Sequence, residues 1–295
     1  MPELPEVESI RLTLERAIAG QSIHVEHVRR TDIIGAPGML RAGRGRPASR
    51  HADASLRAAL LDGSRVSSVA RRGKQLAIVA DDARALVIHL GMSGRLVVGP
   101  RDAANLPPHT HAVWHVGSSC TLRFTDPRRF GALVPCAGAH ELDAHWSGLG
   151  PDAMQIDGES LAHALASRRT SVKAALLDQS LIAGLGNIYV DEILHRAGIH
   201  PLMRSRRAAA HSRTIAERMR EVLDAAIAAG GSTLRDYVDA TGNPGAYVTL
   251  HRVYGRAGQP CDRCRSTIRS AVVAGRTTAF CPVCQTRTRP VVHPL

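Results

Sequence analysis

Apolar residues at Val7, Ile10, Leu14 and Ile18 recur at helical spacing and predict a helix over residues 4–19. Pro5 suits its first turn, Glu6 and Glu8 its positive end, and Gly20 its stop. From residue 22 onward the period shortens to β-like runs: Ser22–Arg30, Arg65–Ala70, Gln75–Ala80, Ala85–Leu90, Arg95–Val98, Ala112–Val116, Cys120–Thr125 and Phe130–Val134. Runs this short, with turn residues between them, predict an antiparallel sandwich or barrel. Residues 35–55, rich in Gly, Pro and Arg, interrupt it as a loop. Helical periodicity returns over Leu161–Arg168, Val172–Gln179, Ile188–Ala197 and Arg213–Ala229, and a Gly-rich stretch, 230–246, leads to a Cys-rich end. The pattern divides the chain into a β domain (1–136), a linker (137–158), a helical domain (159–248) and a small module with a C-terminal tail (249–295).

A chain of 295 residues fits two or three domains, and 44% hydrophobic residues suffice for a sizeable core. No run approaches the ~20 apolar residues of a membrane span. The acidic start MPELPEVESI is unlike a basic export signal, so a soluble cytoplasmic protein is expected. Charge narrows the field: the formal balance is +12 and the pI about 10.4. Such an excess points to a polyanion, most often nucleic acid, against the alternative of a merely basic surface. Aromatic residues at 3% leave little for stacking single strands, so duplex binding fits better. Of the 38 basic residues only Lys74 and Lys173 are lysine. An Arg-rich composition does not explain why two amines, able to transfer protons, remain.

Cys261-x2-Cys264 and Cys281-x2-Cys284, sixteen residues apart, have the spacing of a closed structural zinc site. The alternatives are two disulfides or four unrelated thiols; a protein without an export signal argues against disulfides. The interval reads as strand, Gly275-Arg276 turn, strand. Arg276 at that tip suits a phosphate contact or a solvated loop. Arg263, Arg265, Arg269, Arg287 and Arg289 surround it, and residues 251–295 hold eight arginines against one acid, Asp262. At the other end, removal of Met1 leaves Pro2 as a free secondary amine beside Glu3 and Glu6. Such an amine on a sugar aldehyde carbon gives an iminium that stays cationic and serves as an electron sink. The helix dipole favours the neutral amine and the two carboxylates oppose it. The plainer reading is a helix start.

Taken together, MPELPEVE, RRGKQL (71–76), HLGMSGRL (89–96), DPRRFGAL (126–133), QSLIAGLGNIYVDEILHRAGIHP (179–201), GNPGAYVTLHRVYGRAGQPC (242–261) and the cysteine module resemble the formamidopyrimidine-DNA glycosylase family. These are bacterial base-excision enzymes for oxidised purines. The resemblance spans nearly the whole chain. It implies an α+β multidomain fold: an N-terminal β-sandwich with an N-terminal helix, a helix–two-turns–helix domain and a zinc-finger hairpin, with DNA in the cleft between. It also implies a bifunctional glycosylase and AP lyase that forms a Schiff base through Pro2, then performs β,δ-elimination. One structural zinc, duplex DNA with oxidised bases or abasic sites as partner, a monomer, and a place in the bacterial nucleoid follow from it.

Carried over by position, Pro2 resembles the nucleophile, Glu3 the general acid/base, and Glu6 a residue that orients the N-terminal segment. Lys74 matches a β-strand lysine near the lesion phosphate. Lys173 matches a lysine at the damaged nucleotide's phosphates, and Arg276, from its place at the hairpin tip, is counted with the catalytic residues as a phosphate contact. Met92, Arg128 and Phe130 resemble probes that fill the gap left by an extruded nucleotide; standing alone, Met92 and Phe130 read more readily as core. His89, His109 and Asn187 complete the implied DNA contacts. Asn187, after Gly184-Leu-Gly186, is expected to cap a helix whose N-terminus receives phosphate. The chain departs from the family in its longer 35–55 loop, in Thr110 between His109 and His111, in His195 where an aromatic is usual, and in the small Ala246. Two rival readings are the same fold acting on oxidised pyrimidines, and a non-catalytic, structure-specific DNA-binding zinc protein.

Overall fold

The computed structural model describes residues 2–36, 53–101 and 106–286. Most of the expected 35–55 loop, Arg287 and Arg289 lie outside the described residues. Contacts divide the chain into two compact units, Met1–Gly148 with Gly230–Gly245, and Leu149–Ala229 with Ala246–Leu295.

The first unit opens with helix α1 (Leu4–Ile18), which buries Val7, Ile10, Leu14 and Ile18 as one stripe. Strand β1 (Ser22–Val28) follows, then a short helix α2 (Ala54–Ala59) that the sequence pattern did not announce. Then come β2 (Ser64–Arg72), β3 (Gln75–Ala80), β4 (Ala85–His89), β5 (Arg95–Pro100), β6 (Thr110–Val116), β7 (Cys120–Thr125) and β8 (Ala132–Cys136). All pairings are antiparallel, in the order β5-β7-β6-β1-β2-β3-β4-β8. The seam between β1 and β2 holds only two residue pairs, Ser22–Arg65 and Ile23–Ser64. One core takes Val25, Trp114 and Phe124 from one side of that seam, Val69, Ile78 and Ile88 from the other, and the α1 stripe. That is the packing of a sandwich.

The stretch expected as a linker contains helix α3 (Ala139–Trp146). Its last turn is pinned to the sheet: His145 Nε2 and Trp146 Nε1 lie 3.1 and 3.0 Å from Gln75 Oε1. The sequence reading placed residues 230–248 in the helical domain, yet Gly230–Gly245 packs with the first unit. The reason is local bonding: Val98 N–H donates to Ala240 C=O, and Ala240 N–H donates to Thr13 Oγ1 on α1.

The second unit comprises α4 (Gly158–Ala166), α5 (Val172–Leu177), α6 (Asn187–Arg196), α7 (Ser205–Ala208) and α8 (Ser212–Ala228), then the hairpin β9 (Arg269–Val273) and β10 (Arg276–Phe280). Helix α8 buries Ile215, Met219, Val222, Leu223 and Ala226 along one face. Helix α6 carries the cysteine module. Its Glu192 carboxylate, fully buried, accepts the N–H groups of Arg252, Val253 and Tyr254, each at 2.9 Å. No helix among the described residues is long and apolar enough to cross a membrane.

Candidate active site

Pro2 and Glu3 are buried at the head of α1, and Glu3 is its N-cap. The Glu6 carboxylate fixes them. One oxygen accepts the Glu3 N–H at 2.7 Å and the other the Ser232 N–H at 2.7 Å. The Glu6 carbonyl also accepts Tyr237 Oη–H at 3.1 Å. One residue thus holds both the first turn of the helix and the 230–245 segment. Burial, then the nearby Glu6 charge, keeps the Tyr237 hydroxyl well above its ordinary range and therefore protonated, as a donor must be.

The same helix is tied to the β2–β3 turn. Arg71 donates to Glu8 at 2.6 Å and, through its other arm, to the Gly73 carbonyl at 3.1 Å. Lys74, half-buried, sits in that turn and not on a strand. Gly73 supplies the positive φ, +56°, that a tight two-residue turn needs first, and Arg72 pairs with Gln75 across it.

Register gathers the expected DNA contacts at one end of the sandwich. Gln75, His89 and Ala132 form one row across β3, β4 and β8; Arg95, Thr125 and Thr110 form another across β5, β7 and β6. Lys74, Met92, His109, Arg128 and Phe130 lie just past these rows, and half-buried His89 lies within the first. Met92 is 46% and Phe130 38% exposed, which rules out the core reading for both. The Arg128 guanidinium lies 4.8 Å from the Phe130 ring centroid, a cation–π distance.

Asp126, which the sequence reading passed over inside DPRRFGAL, organises these turns. Fully buried, it accepts Ser93 Oγ–H at 2.6 Å through one oxygen and the Gly131 N–H at 2.7 Å through the other. Arg128 N–H donates to Ser93 Oγ at 3.2 Å. A Cβ on Gly91 would collide with the Phe130 backbone, so the two probe-bearing turns need glycine there to pack. The Asp-Pro pair was the available signal, since it marks a turn directly after a strand.

The remaining expected groups belong to the second unit. Four free Sγ atoms, of Cys261, Cys264, Cys281 and Cys284, lie within 4.8 Å of one another. Zn–S bonds of about 2.3 Å at tetrahedral angles require sulfurs ~3.8 Å apart. The Cys261–Cys284 and Cys264–Cys281 separations are 3.9 and 3.4 Å. The set therefore fits one zinc ion, and four thiolates close its coordination, so the metal is structural. His195 does more than replace an aromatic: fully buried, it brings Nε2 to 3.5 Å from Cys261 Sγ.

Three expectations on this unit need correction. The hairpin tip is Ala274-Gly275, both at positive φ (+51° and +70°), as a type I′ turn demands. Arg276 is consequently the exposed first residue of β10, paired with Val273. Asn187 is not the cap of α6; Gly186 is. Its side chain instead donates to the Thr277 carbonyl at 2.8 Å. Lys173 also differs from expectation: it is completely buried, with Nζ 2.6 Å from Asp191 Oδ1, and offers no exposed cation to a phosphate.

Comparison with known proteins matches three family models along the chain. Residues 1–133 match the formamidopyrimidine-DNA glycosylase N-terminal domain, 148–238 its H2TH domain, and 258–287 a zinc finger found in FPG and IleRS. The formamidopyrimidine-DNA glycosylase of Paracoccus denitrificans is 40% identical over 97% of this chain and all of its own length. That of Alkalilimnicola ehrlichii is 41% identical with the same coverage. Among solved structures, Lactococcus lactis Fpg bound to DNA with an abasic site superposes with a TM-score of 0.82 at 31% identity, covering 96% of this chain and 99% of that one. The FPG protein of Thermus thermophilus gives 0.78 at 36% identity, covering 96% and 98%.

Proposed function

The chain belongs to the formamidopyrimidine-DNA glycosylase family, and from that premise we propose that it removes oxidised purines, 8-oxoguanine and formamidopyrimidines, from duplex DNA as a glycosylase and AP lyase. It does so as a monomer in the bacterial nucleoid. In this reading Pro2, freed of Met1, attacks C1′ of the damaged nucleoside. The glycosidic bond breaks and the base leaves with the bonding electrons; the C1′–O4′ bond then opens, O4′ takes up a proton, and an iminium remains between Pro2 and C1′. That cation acidifies the adjacent C2′–H, and successive β- and δ-elimination release the sugar and leave a one-nucleotide gap. Glu3 moves the protons of base loss and ring opening, and Lys74 assists elimination near the lesion phosphate. Met92, Arg128 and Phe130 occupy the space of the extruded nucleotide. His89, His109, Asn187 and Arg276 contact the DNA. The 230–245 segment holds the swung-out base.

One observation carries the reading: the Glu6 carboxylate spans Glu3 N–H and Ser232 N–H, each at 2.7 Å, at the very residues that must be immobile for a covalent attack. A protein that only bound DNA would place no such demand on its second and third residues. Borohydride reduction in the presence of duplex DNA holding 8-oxoguanine should leave a covalent adduct through Pro2. No adduct would sink the reading in favour of binding alone. Faster trapping on an oxidised pyrimidine would move the substrate class.

A further inference from the structure

Lys173 and Asp191 form a charged pair that no step above uses. Their side chains are 0% and 1% exposed, and Nζ stands 2.6 Å from Oδ1. Taking two charges fully out of water is costly, and apolar residues of similar volume often serve stability as well. A buried carboxylate is retained for what it holds. Here the second oxygen of Asp191 accepts the N–H of Ala279 on β10 at 2.9 Å. One turn earlier on α6, Asn187 donates to the C=O of Thr277 at 2.8 Å. Residues 277 and 279 alternate with 276, 278 and 280 along the strand, so both groups lie on one edge of β10. Helix α6 therefore offers a donor and an acceptor, spaced two strand residues apart, where a third strand would stand.

We infer that Lys173 and Asp191 are positioning residues: Lys173 keeps Asp191 charged, and Asp191 fixes the register of β10 on α6, which places Arg276 at the start of that strand. The inference rests on the reading that Arg276 meets DNA phosphate, and it replaces a direct phosphate contact by Lys173. A lysine suits the role because a neutral neighbour would leave the carboxylate uncompensated. Burial already pushes the Asp191 carboxyl up to about 6 against the pull of Lys173. The pair thus deepens the function of the zinc hairpin without touching substrate.

The test uses zinc-loaded full-length protein: wild type, Lys173→Met, Lys173→Met with Asp191→Asn, and Arg276→Ala. Affinity for duplex DNA holding an abasic-site analogue is measured across a salt series, with amide exchange read at Ala279. Arg276→Ala, which removes an exposed cation, should lower the salt slope by about one. Lys173→Met should keep the wild-type slope, weaken binding roughly tenfold at every salt concentration, and speed Ala279 exchange, because an uncompensated buried charge loosens the strand. The double variant has no charge to compensate, and its Asn still accepts from Ala279. It should return to within about threefold of wild type and regain protection. Three results would overturn the inference: a slope lowered by about one in both Lys173 variants, a Lys173→Met protein indistinguishable from wild type, or a double variant no better than the single one. If Lys173→Met alone does not fold, the slope of the double variant decides in the same sense. Failure of the glycosylase reading shows separately, as a wild type that borohydride does not trap, while Ala279 exchange still reports on the pair.

Discussion

The Glu6 carboxylate occupies the space that a side chain at Gly231 would need: a Cβ there would lie 2.9 Å from Glu6 Oε1 and 3.2 Å from its Cα. Gly231 also holds φ at +84°, which L side chains rarely adopt. The close approach lets the next residue, Ser232, donate its N–H to Glu6. The glycine, the carboxylate and the N-cap Glu3 form one continuous contact from the base of the 230–245 segment to the start of the chain.

Gly231→Ala should break that contact. The added methyl forces Glu6 or the loop to shift by several tenths of an ångström, and left-handed backbone costs an L-residue about 1–2 kcal/mol besides. Misplacing a catalytic group by ~1 Å costs on the order of a hundredfold in rate. Excision of 8-oxoguanine should therefore fall by about 10–100-fold, with a smaller loss on a preformed abasic site, where no base needs holding. Single-turnover rates on the two substrates check this; equal losses on both would show that the segment serves the N-terminus alone.

Much of the arrangement was legible in the sequence because it rests on local periodicity and spacing. The α1 stripe, all eight strand positions of the sandwich to within about two residues, and the four cysteines needed no partner to be read. What stayed hidden depends on contacts between distant segments. Helix α3 has only Leu142 and Trp146 as buried apolar anchors over two turns, too few for a periodic signal, and its docking on Gln75 reaches back to β3, about seventy residues earlier. Asp126 reads as an ordinary turn residue until Ser93 is found beside it. Lys173 is the sharpest case. One of only two lysines invites a reading as an exposed amine, and only packing reveals that Asp191 faces it in the interior. Asn187 misled for a related reason: its side chain is drawn to Thr277, ninety residues away, so Gly186 takes the cap.

Acid stability should report the brace between α1 and β2. Burial works to raise the Glu8 carboxyl, but hydrogen bonds from Arg11 and Arg71 outweigh it and hold the group below its ordinary 4.5. A depressed acid contributes stability that is fully present above its unfolded value and is lost as pH falls through the folded one. Glu8→Gln should therefore lower the Tm at neutral pH, by about 1–2 kcal/mol in stability for a charge-assisted pair of this kind. The gap to wild type should close as the acid limb is descended. Thermal unfolding across pH tests it, and a gap that stays constant down to the acid-unfolded state would exclude an ionised Glu8 as its source.

Zinc removal should separate the two units' dependence on the metal. The core of the cysteine module consists of Val253, Ile268 and Ala279 with three of the cysteines, and Cys264 packs at its margin. Modules below about 40 residues rarely bury enough apolar surface to fold without a metal or disulfide. Without zinc, four sulfurs crowded within 4.8 Å have nothing to share, and the hairpin should lose its structure although α6 still offers Asn187 and Asp191. The eight-stranded sheet draws its core from the first unit alone and should remain folded. A chelator should accordingly abolish the amide protection of β9 and β10, leave that of β3 and β4 intact, and weaken duplex binding, with zinc restoring both. Full DNA affinity in metal-free protein would mean that the hairpin, and Arg276 with it, contributes nothing to holding the duplex.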